Sequence, residues 1–303
     1  MGKLEDMALI VEVAESGGLS AAGRRLSLSP ASMTARLKAI EERYQTRLFH
    51  RSTRAITLTK AGEDFYHAAL RVLNEARHAE SLLVQKEGVL SGNIRISAPS
   101  DFGRQYVSPA IVDFSRLHPE VNTSVYLGEH VEDLIANRLD MSIRFGNLPD
   151  SSLIVRHIAP NHRVLVASDT YLQTSGMPAT PESLHGHRCL ALELHGVVIN
   201  EWRFEEKGVS KTIRVNPAMV CDDGALLRQW VLNGAGIACK SWWDVKKDVE
   251  EERLYVLFAE SFIGFSRYDR KNVGLQFVYP QRKLQPLQVT AFSEFFIDWL
   301  NKK

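Results

Sequence analysis

Hydrophobic residues recur at helical spacing through the first forty-five positions of the chain. Leu4, Met7 and Val11 mark an amphipathic helix over about 3–16, which we expect to end at Gly17-Gly18. Ser20 is the expected N-cap of a second, shorter helix over about 21–26. Ser29 is the expected cap of a third helix, with Pro30 at its first position. Its apolar residues form one predicted buried stripe: Met33, Leu37, Ile40 and Tyr44.

Small and basic side chains occupy the other face of that third helix, near its N-terminal end. Two short helices, a tight break and a longer helix form a helix-turn-helix pattern, and small side chains let such a helix enter the major groove. Residues 48–58 then form two short apolar runs around a basic tip, as in a wing hairpin. The DNA-binding residues expected from this pattern are Pro30, Ala31, Thr34, Ala35, Lys38, Arg51 and Arg54. The alternative is a set of packed helices with a solvated basic face.

A family resemblance supports the DNA-binding interpretation. Leu19-Ser20-Ala21-Ala22, Leu28-Ser29-Pro30-Ala31 and Leu58-Thr59-Lys60-Ala61-Gly62 resemble the N-terminal signature of LysR-type transcriptional regulators. The resemblance covers nearly all of residues 4–62. It implies that the wing carries Arg51 and Arg54 and that the base-reading end of the third helix comprises Ser29, Pro30, Ala31, Thr34 and Ala35. Tyr44-Gln45 stands where the family usually has Leu-Gly, so we expect a different turn before the wing.

A long proline-free segment follows, from about residue 61 to 87. Its apolar residues recur in steps of three and four: Phe65, Ala69, Val72, Leu73, Ala76, Ala79 and Leu83. A helix of about 26 residues spans roughly 39 Å and has no core of its own. We expect it to pair two chains in a homodimer, and the resemblance implies a homotetramer. The alternative is a helix that lies across its own chain.

After Gly92 the pattern changes to alternating strands and helices, which predicts an α/β fold with parallel sheets covered by helices. The expected strands are 94–98, 121–127, 140–145, 164–167, 189–192, 212–220, 236–238 and 275–279. The expected helices are 103–117, 131–137, 181–184, 225–233 and 287–300. The layout resembles the two-lobed effector domain of LysR-type regulators, which is similar to periplasmic binding proteins.

The predicted organisation has three parts. Residues 1–60 form a winged helix-turn-helix DNA-binding domain, 61–90 a linker and dimerisation helix, and 91–303 a two-lobed effector-binding domain. Its first lobe covers about 91–161 and 269–303, and its second lobe about 162–268. Gly234-Ala235-Gly236-Ile237-Ala238 fits the resemblance, whereas Lys240-Ser241 departs from the Leu-Pro that often follows.

Ligands of open α/β sheets bind beyond the carboxyl ends of strands, near helix N-termini that favour anions. This rule selects the expected effector-binding residues Ser100, Phe102, Arg144, His195, Trp202, Asp222 and Lys240. Ser100 would donate a hydroxyl, a basic side chain would pair with a carboxylate, and an aromatic ring would form an apolar wall. Structural alternatives stay open: Ser100 or Asp222 as a helix cap, Arg144 in an ion pair, and Trp202 in a core.

Composition narrows the class of protein. Lys and Arg outnumber Asp and Glu over residues 1–62, although the whole chain has a net charge of only +1, so we expect a polyanion partner at that end. Three widely spaced cysteines indicate reduced thiols in the cytoplasm. No signal peptide or apolar run of about 18 residues is visible, so no membrane partner is expected.

No set of residues in the sequence indicates catalysis. Gly234-Ala235-Gly236 lacks the third glycine of a dinucleotide fingerprint, since Cys239 stands there. His185, His187 and Cys189 do not have a usual zinc spacing, and 248–253 is expected to be a solvated charge run. We therefore expect a transcription regulator, without enzyme activity or cofactor, controlled by a small organic acid or aromatic effector. The alternatives are a solute-binding protein of the same fold and an α/β enzyme.

Overall fold

A computed structural model describes residues 2–51, 56–84, 89–129, 134–135, 137–146, 153–265, 274–281 and 285–303. The chain forms two compact units. The first comprises Met1–Val89 with Ile135–Arg138, and the second comprises Leu90–Leu134 with Leu139–Lys303.

The first unit begins with a winged helix-turn-helix. Its elements are α1 (Lys3–Ser16), α2 (Leu19–Arg25), α3 (Pro30–Arg43), β1 (Phe49–Arg51), β2 (Ile56–Leu58) and α4 (Lys60–Val84). Two local predictions were wrong. Helix α2 begins at Leu19 after Gly18, so Ser20 lies inside the helix and does not cap it. Tyr44 follows the last residue of α3 and is exposed, so the buried stripe of α3 ends at Ile40.

A hydrophobic core holds the three helices and the wing together. Leu9, Ile10 and Val13 of α1 pack with Met33 and the rest of the α3 stripe. The carboxylate of Glu41, buried at the end of α3, accepts hydrogen bonds from the backbone nitrogens of Leu48 (2.9 Å) and Phe49 (3.2 Å). This contact fixes the start of β1 relative to α3, and therefore the base of the wing.

Helix α4 has two environments along its length. Its first half packs on α1: Ala69 and Leu70 are buried against Val11, with Phe65 alongside. Val72 on the same helix is 41% exposed. The helix therefore lies on its own unit over its first turns, and an apolar residue further along remains available to a partner.

The second unit runs through one lobe, into a second lobe and back. The first lobe contributes β3 (Gly92–Ala98), α5 (Ser100–Phe102), a π-helical turn (Gly103–Val107), α6 (Ser108–Leu117), β4 (Val121–Leu127), β5 (Met141–Phe145) and β6 (Leu153–Ala159). The second lobe contributes β7 (Arg163–Ser168), α7 (Asp169–Ser175), a 3₁₀ turn (Pro181–Gly186), β8 (Cys189–Leu194), β9 (Val197–Val198), β10 (Glu201–Glu206), β11 (Val209–Arg214), β12 (Pro217–Cys221), α8 (Gly224–Leu232), β13 (Ile237–Ser241), α9 (Trp242–Glu250), β14 (Leu254–Leu257) and β15 (Phe262–Gly264). The chain then returns as β16 (Leu275–Pro280) and α10 (Leu287–Leu300).

Each lobe is built on a mixed sheet, not on the parallel sheet expected from the sequence. The described strand order is β4-β3-β5-β16-β6 in the first lobe and β12-β8-β13-β7-β14 in the second. In the first lobe β3 is parallel to β4 and β5, and in the second β8 is parallel to β12 and β13. β16, which returns to the first lobe, is antiparallel to both of its neighbours, β5 and β6. A small antiparallel sheet, β11-β10-β15, lies in the second lobe.

Three further predictions need correction or fall outside the described residues. The expected strand over 212–220 is two strands, β11 and β12, separated at 215–216. The expected solvated charge run over 248–253 begins in α9, where Asp248 is fully buried between Arg228 and Arg253. Most of the expected helix over 131–137 lies outside the described residues.

No described helix has the length and hydrophobicity needed to span a bilayer.

Candidate DNA-binding surface and interlobe site

The start of α3 presents a small-residue face to solvent. The Ser29 hydroxyl caps the helix by accepting a hydrogen bond from the Ser32 nitrogen at 3.1 Å, and Pro30 occupies the first helical position, as predicted. Pro30, Ala31, Thr34 and Ala35 are all exposed. The Thr34 hydroxyl donates to the Pro30 carbonyl at 2.9 Å, which leaves its oxygen able to accept. Helix α3 can therefore approach another surface closely over its first two turns.

Exposed positive charges flank this face. The Lys38 ammonium lies 3.5 Å from the Glu42 carboxylate, and both side chains are mostly exposed. Such a surface pair is weak, so Lys38 can exchange this carboxylate for a phosphate. Arg36 is also exposed on α3, although the sequence pattern did not select it. Arg43, in contrast, pairs with the buried Asp6 of α1 and therefore has a structural role.

The wing is the hairpin that the sequence predicted. β1 and β2 are antiparallel, with Phe49 opposite Leu58 and Arg51 opposite Ile56. The side chain of Arg51 and the whole of Arg54 lie outside the described residues. Their expected contacts with DNA therefore stay predictions.

In the second unit, donors from both lobes converge on one carboxylate oxygen. The backbone nitrogen and the hydroxyl of Ser100 donate to Glu129 Oε1, at 3.0 and 2.8 Å. From the second lobe the Gly224 nitrogen donates to the same atom at 3.3 Å. Ser100 begins α5 and Gly224 begins α8, so two helix N-termini point at one negative charge. The Ala225 nitrogen also donates to the Ser100 hydroxyl at 3.4 Å.

A buried lysine lies directly beneath this contact. Lys240 is 3% exposed, and its ammonium donates to the Gly224 carbonyl at 2.6 Å. The same ammonium lies 3.1 Å from both Asp101 of the first lobe and Asp244 of the second. Burial by itself lowers the pKa of Lys240, but the carboxylates of Asp244, Asp101 and Glu129 outweigh it and raise the pKa above the usual value. The lysine is therefore a fixed positive charge that joins the lobes.

Arg144 supports the site from the first lobe without facing its donors. It is 5% exposed and donates to the Gly128 carbonyl at 2.7 Å and to the Ser97 hydroxyl at 3.2 Å. These bonds hold the backbone just before Glu129. Arg144 is therefore placed to orient Glu129, and its expected pairing with an effector carboxylate stays a prediction.

Four other expected effector-binding residues do not join this site. Phe102 is fully buried in the core of the first lobe, stacked on Tyr106 with ring centroids 4.8 Å apart. Trp202 is fully buried in a core of the second lobe. Neither ring can form the wall of an open cleft. His195 is exposed in the turn between β8 and β9, and Asp222 is exposed while its neighbour Asp223 caps α8.

Three carboxylates of the site were given no role in the sequence-based prediction. Asp101, Glu129 and Asp244 lie around Lys240, and no single stretch of sequence places them together. The position of Glu129 in the sequence could nevertheless have identified it. Glu129 comes two residues after β4, so the rule that selects residues beyond the carboxyl ends of strands applies to it as well as to Ser100. Among the described residues no group of three or more His, Cys, Asp or Glu side chains is arranged to hold a metal ion.

Comparison with known proteins assigns the family. The model of the LysR substrate binding domain matches residues 87–301, and that of the bacterial regulatory helix-turn-helix protein, lysR family, matches residues 4–63. This chain belongs to the LysR family of transcriptional regulators. It is therefore a DNA-binding regulator with an effector-binding domain and belongs to a family that is not enzymatic, as the sequence resemblance implied.

Individual relatives agree with the family models. The HTH-type transcriptional regulator DmlR of Escherichia coli K12 is 30% identical over 259 residues, covering 86% of this LysR-type chain and 84% of DmlR. The solved structure of CrgA, a LysR-type transcriptional regulator from Neisseria meningitidis, is 27% identical, with a TM-score of 0.63 and 99% of each chain covered. The full-length structure of the Vibrio cholerae virulence activator AphB is 26% identical, with a TM-score of 0.62. It covers 98% of this chain and 99% of AphB.

Proposed function

We propose that this regulator contacts operator bases through the exposed start of α3 and responds to a small organic acid bound between its lobes. The proposed base-contacting residues are Ser29, Pro30, Ala31, Thr34 and Ala35, with Lys38, Arg51 and Arg54 on the phosphates. The proposed domain bounds are 1–60, 61–90 and 91–303, with lobes at about 91–161 with 269–303 and at 162–268. Bacterial DNA lies in the cytoplasm, which is the proposed location.

One observation carries the effector class. The Ser100 nitrogen, the Ser100 hydroxyl and the Gly224 nitrogen, drawn from two lobes, all donate to one carboxylate oxygen. A carboxylate is the acceptor that such a set of donors prefers. An aromatic effector is less favoured, because Phe102 and Trp202 are packed inside the lobe cores. We call the Ser100 and Gly224 donors the carboxylate seat.

The seat offers a physical route from effector to DNA. A ligand that binds the seat contacts both lobes, so it favours the lobe arrangement in which Ser100 and Gly224 are close together. The regulator is proposed to act as a homodimer through α4, because its apolar stripe continues past the residues covered by α1 and includes the exposed Val72. Two copies of α3 would then contact a symmetric operator.

A screen of organic acids by thermal unfolding tests the effector half of the proposal. A ligand that binds only the folded protein raises its melting temperature. We expect a small organic acid to raise it and the variant Ser100→Ala to lose most of the increase. Ser115→Ala is the matched control, since Ser115 lies on α6 with its hydroxyl on the Val112 carbonyl. An equal increase in S100A and wild type would contradict the seat.

Gel shifts with duplex from upstream of the gene test the DNA half. Arg51→Ala with Arg54→Ala should weaken binding to all sequences alike, because phosphate contacts carry no sequence information. Substitutions at Ala31 or Thr34 should instead change which sequence is preferred. Equal loss on every duplex for both groups of variants would contradict base contact by α3.

A further inference from the structure

The chain supplies the carboxylate that fills its own seat. Glu129 belongs to the first lobe, two residues beyond β4, and its Oε1 accepts from Ser100 of that lobe and from Gly224 of the other. Ser100 is 1% exposed and Glu129 is partly buried, so the contact is shielded from most of the bulk water. The side chain of Glu129 therefore joins the two lobes in the way expected of an acidic ligand.

The position of Glu129 is held from behind. Arg144, on β5, donates to the carbonyl of Gly128, the residue immediately before Glu129. On the other side Gly224 leaves room for the carboxylate, because a Cβ there would lie 2.8 Å from Glu129 Oε1 and the side chain would have to shift. The fit between a glycine in one lobe and a carboxylate in the other indicates a specific contact between these two positions.

Charge at the site prevents a second carboxylate from simply joining the first. Asp101 and Asp244 already lie 3.1 Å from Lys240, and Glu129 adds a third negative charge near the same ammonium. An added anion would be repelled at short range in surroundings of low dielectric constant. It would also find the three donors engaged. An acidic effector can therefore take the seat only if Glu129 leaves it.

We propose that Glu129 is the resident occupant of the carboxylate seat and that an acidic effector acts by displacing it. This inference rests on the proposed function, in which the seat binds an organic acid. Glu129 holds the lobes together in the absence of effector, and its competition lowers the apparent affinity for acids. Glu129 thus determines specificity: an effector needs a carboxylate for the seat and further contacts to outcompete the protein's own side chain.

Chemical rescue of full-length Glu129→Ala tests the proposal. The substitution deletes one methylene and the carboxylate, and these are the atoms that acetate restores. We expect sodium acetate to raise the melting temperature of E129A in a saturable way, and to have no such effect on wild type, whose seat is filled. Sodium chloride at the same ionic strength and neutral acetamide are the controls, and neither should rescue. Rescue by either control, or none by acetate, would overturn the proposal.

A second substitution locates the rescued site. In the double variant E129A/G224A, the new Cβ of residue 224 would occupy the space of the lost carboxylate oxygen. We expect it to abolish the acetate effect. The control Gly186→Ala introduces a methyl where no neighbour lies within 4 Å, and E129A/G186A should keep the effect. Equal rescue in both double variants would place acetate elsewhere and contradict the seat.

A conservative variant keeps the proposal testable if E129A does not fold. Glu129→Gln retains the shape and an acceptor oxygen but removes the charge. The amide proton resonances of Ser100 and Gly224, which lie in different lobes, should both shift relative to wild type because they donate to the same atom. A shift of only one of them, or of neither, would overturn the proposal.

The results also separate this inference from the function it rests on. Acetate rescue of E129A, with no organic acid stabilising wild type, would support the resident carboxylate and reject the proposed effector class. Stabilisation of wild type by an acid, lost in S100A, without rescue of E129A would support the effector class and reject the resident carboxylate.

Discussion

The two functional regions of this regulator are built in opposite ways. The start of α3, which is proposed to contact DNA, consists of exposed, mostly small side chains. The site between the lobes consists of buried polar and charged side chains, with Ser100, Asp101 and Lys240 each no more than 3% exposed. The first region is free to meet a partner, and the second uses its charges to hold the protein together.

This difference follows from the sequence distance between interacting groups. The Ser29 hydroxyl accepts a hydrogen bond from the backbone nitrogen three residues later, and the Thr34 hydroxyl donates to the carbonyl four residues earlier. The start of the helix is therefore held by local contacts. The contacts of Glu129 span 29 residues to Ser100 and 95 to Gly224. A substitution on the exposed face of α3 should therefore change DNA affinity with little effect on folding, whereas one between the lobes should affect stability first.

The largest effect is expected when the buried cation is removed. Lys240→Met leaves the carboxylates of Asp101 and Asp244 buried without their counter-charge. Breaking such a pair costs about 3–5 kcal/mol. Urea unfolding should show this loss, whereas Lys38→Met on α3, whose side chain is exposed, should change stability by less than about 0.5 kcal/mol. Similar losses for the two lysines would remove the contrast between the regions.

The next largest change in the free energy of unfolding is expected from the titration of Asp244. Burial, with Asp101 and Glu129 nearby, raises its pKa to about 6 from an ordinary value of 3.8, despite the opposing Lys240. The folded state therefore holds this proton more tightly than the unfolded chain. The carboxyl of Asp244 favours folding most at pH values below its pKa in the unfolded chain. As the pH rises through its pKa in the folded protein, the free energy of unfolding falls by up to about 3 kcal/mol.

The variant Asp244→Asn provides the measurement. Its free energy of unfolding, followed by urea titration between about pH 4 and 6.5, should lack the decrease with rising pH that Asp244 adds to wild type. The difference between the two curves is expected to be concentrated between the two pKa values. Parallel curves for wild type and D244N would show that this carboxyl does not titrate as its surroundings predict.

Asp248 offers a smaller test with a closely matched control. Its carboxylate is fully buried and accepts from Arg228 at 2.5 and 2.7 Å, with Arg253 at 2.6 Å. Asp248→Ala should cost about 2 kcal/mol, because both arginines are partly exposed and regain water. Asp222→Ala, at an exposed aspartate of the same lobe, should cost under about 0.5 kcal/mol. Equal losses by denaturant unfolding would contradict the burial of Asp248.

The smallest free-energy change is expected on DNA binding by a substitution in α3. Ala35→Glu places a negative charge on the proposed base-contacting face and should weaken duplex binding at least about tenfold, or about 1.4 kcal/mol. Its melting temperature should stay close to that of wild type. Ala39→Glu, at an exposed alanine outside the proposed set, should weaken binding less. A larger loss for A39E in fluorescence anisotropy would shift the contact surface along the helix.

Local sequence signals predicted the DNA-binding unit well because its features depend on neighbours. The Ser29-Pro30 start, the Met33, Leu37 and Ile40 stripe and the wing strands were all found in the structure. Tyr44 was wrongly included because periodicity alone does not show where a helix ends.

The interlobe site was predicted only in part, and the misses share one cause. Ser100 and Lys240 were selected by their positions after strands, and they do lie at the site. Glu129 and Asp244 depend on how the lobes meet, which no local pattern encodes. The burial of Phe102 and Trp202 likewise depends on tertiary packing. An aromatic residue near a strand end has the same local sequence signal whether it faces a cleft or a core.

The salt dependence of DNA binding by the full-length chain tests the central claim most directly. The affinity for a duplex from upstream of the gene should fall linearly on a plot of log affinity against log salt, because the proposed contacts of Lys38 and the wing arginines would displace counterions from phosphates. Binding that is absent at low ionic strength, or that does not change with salt, would contradict the assignment of this surface to DNA.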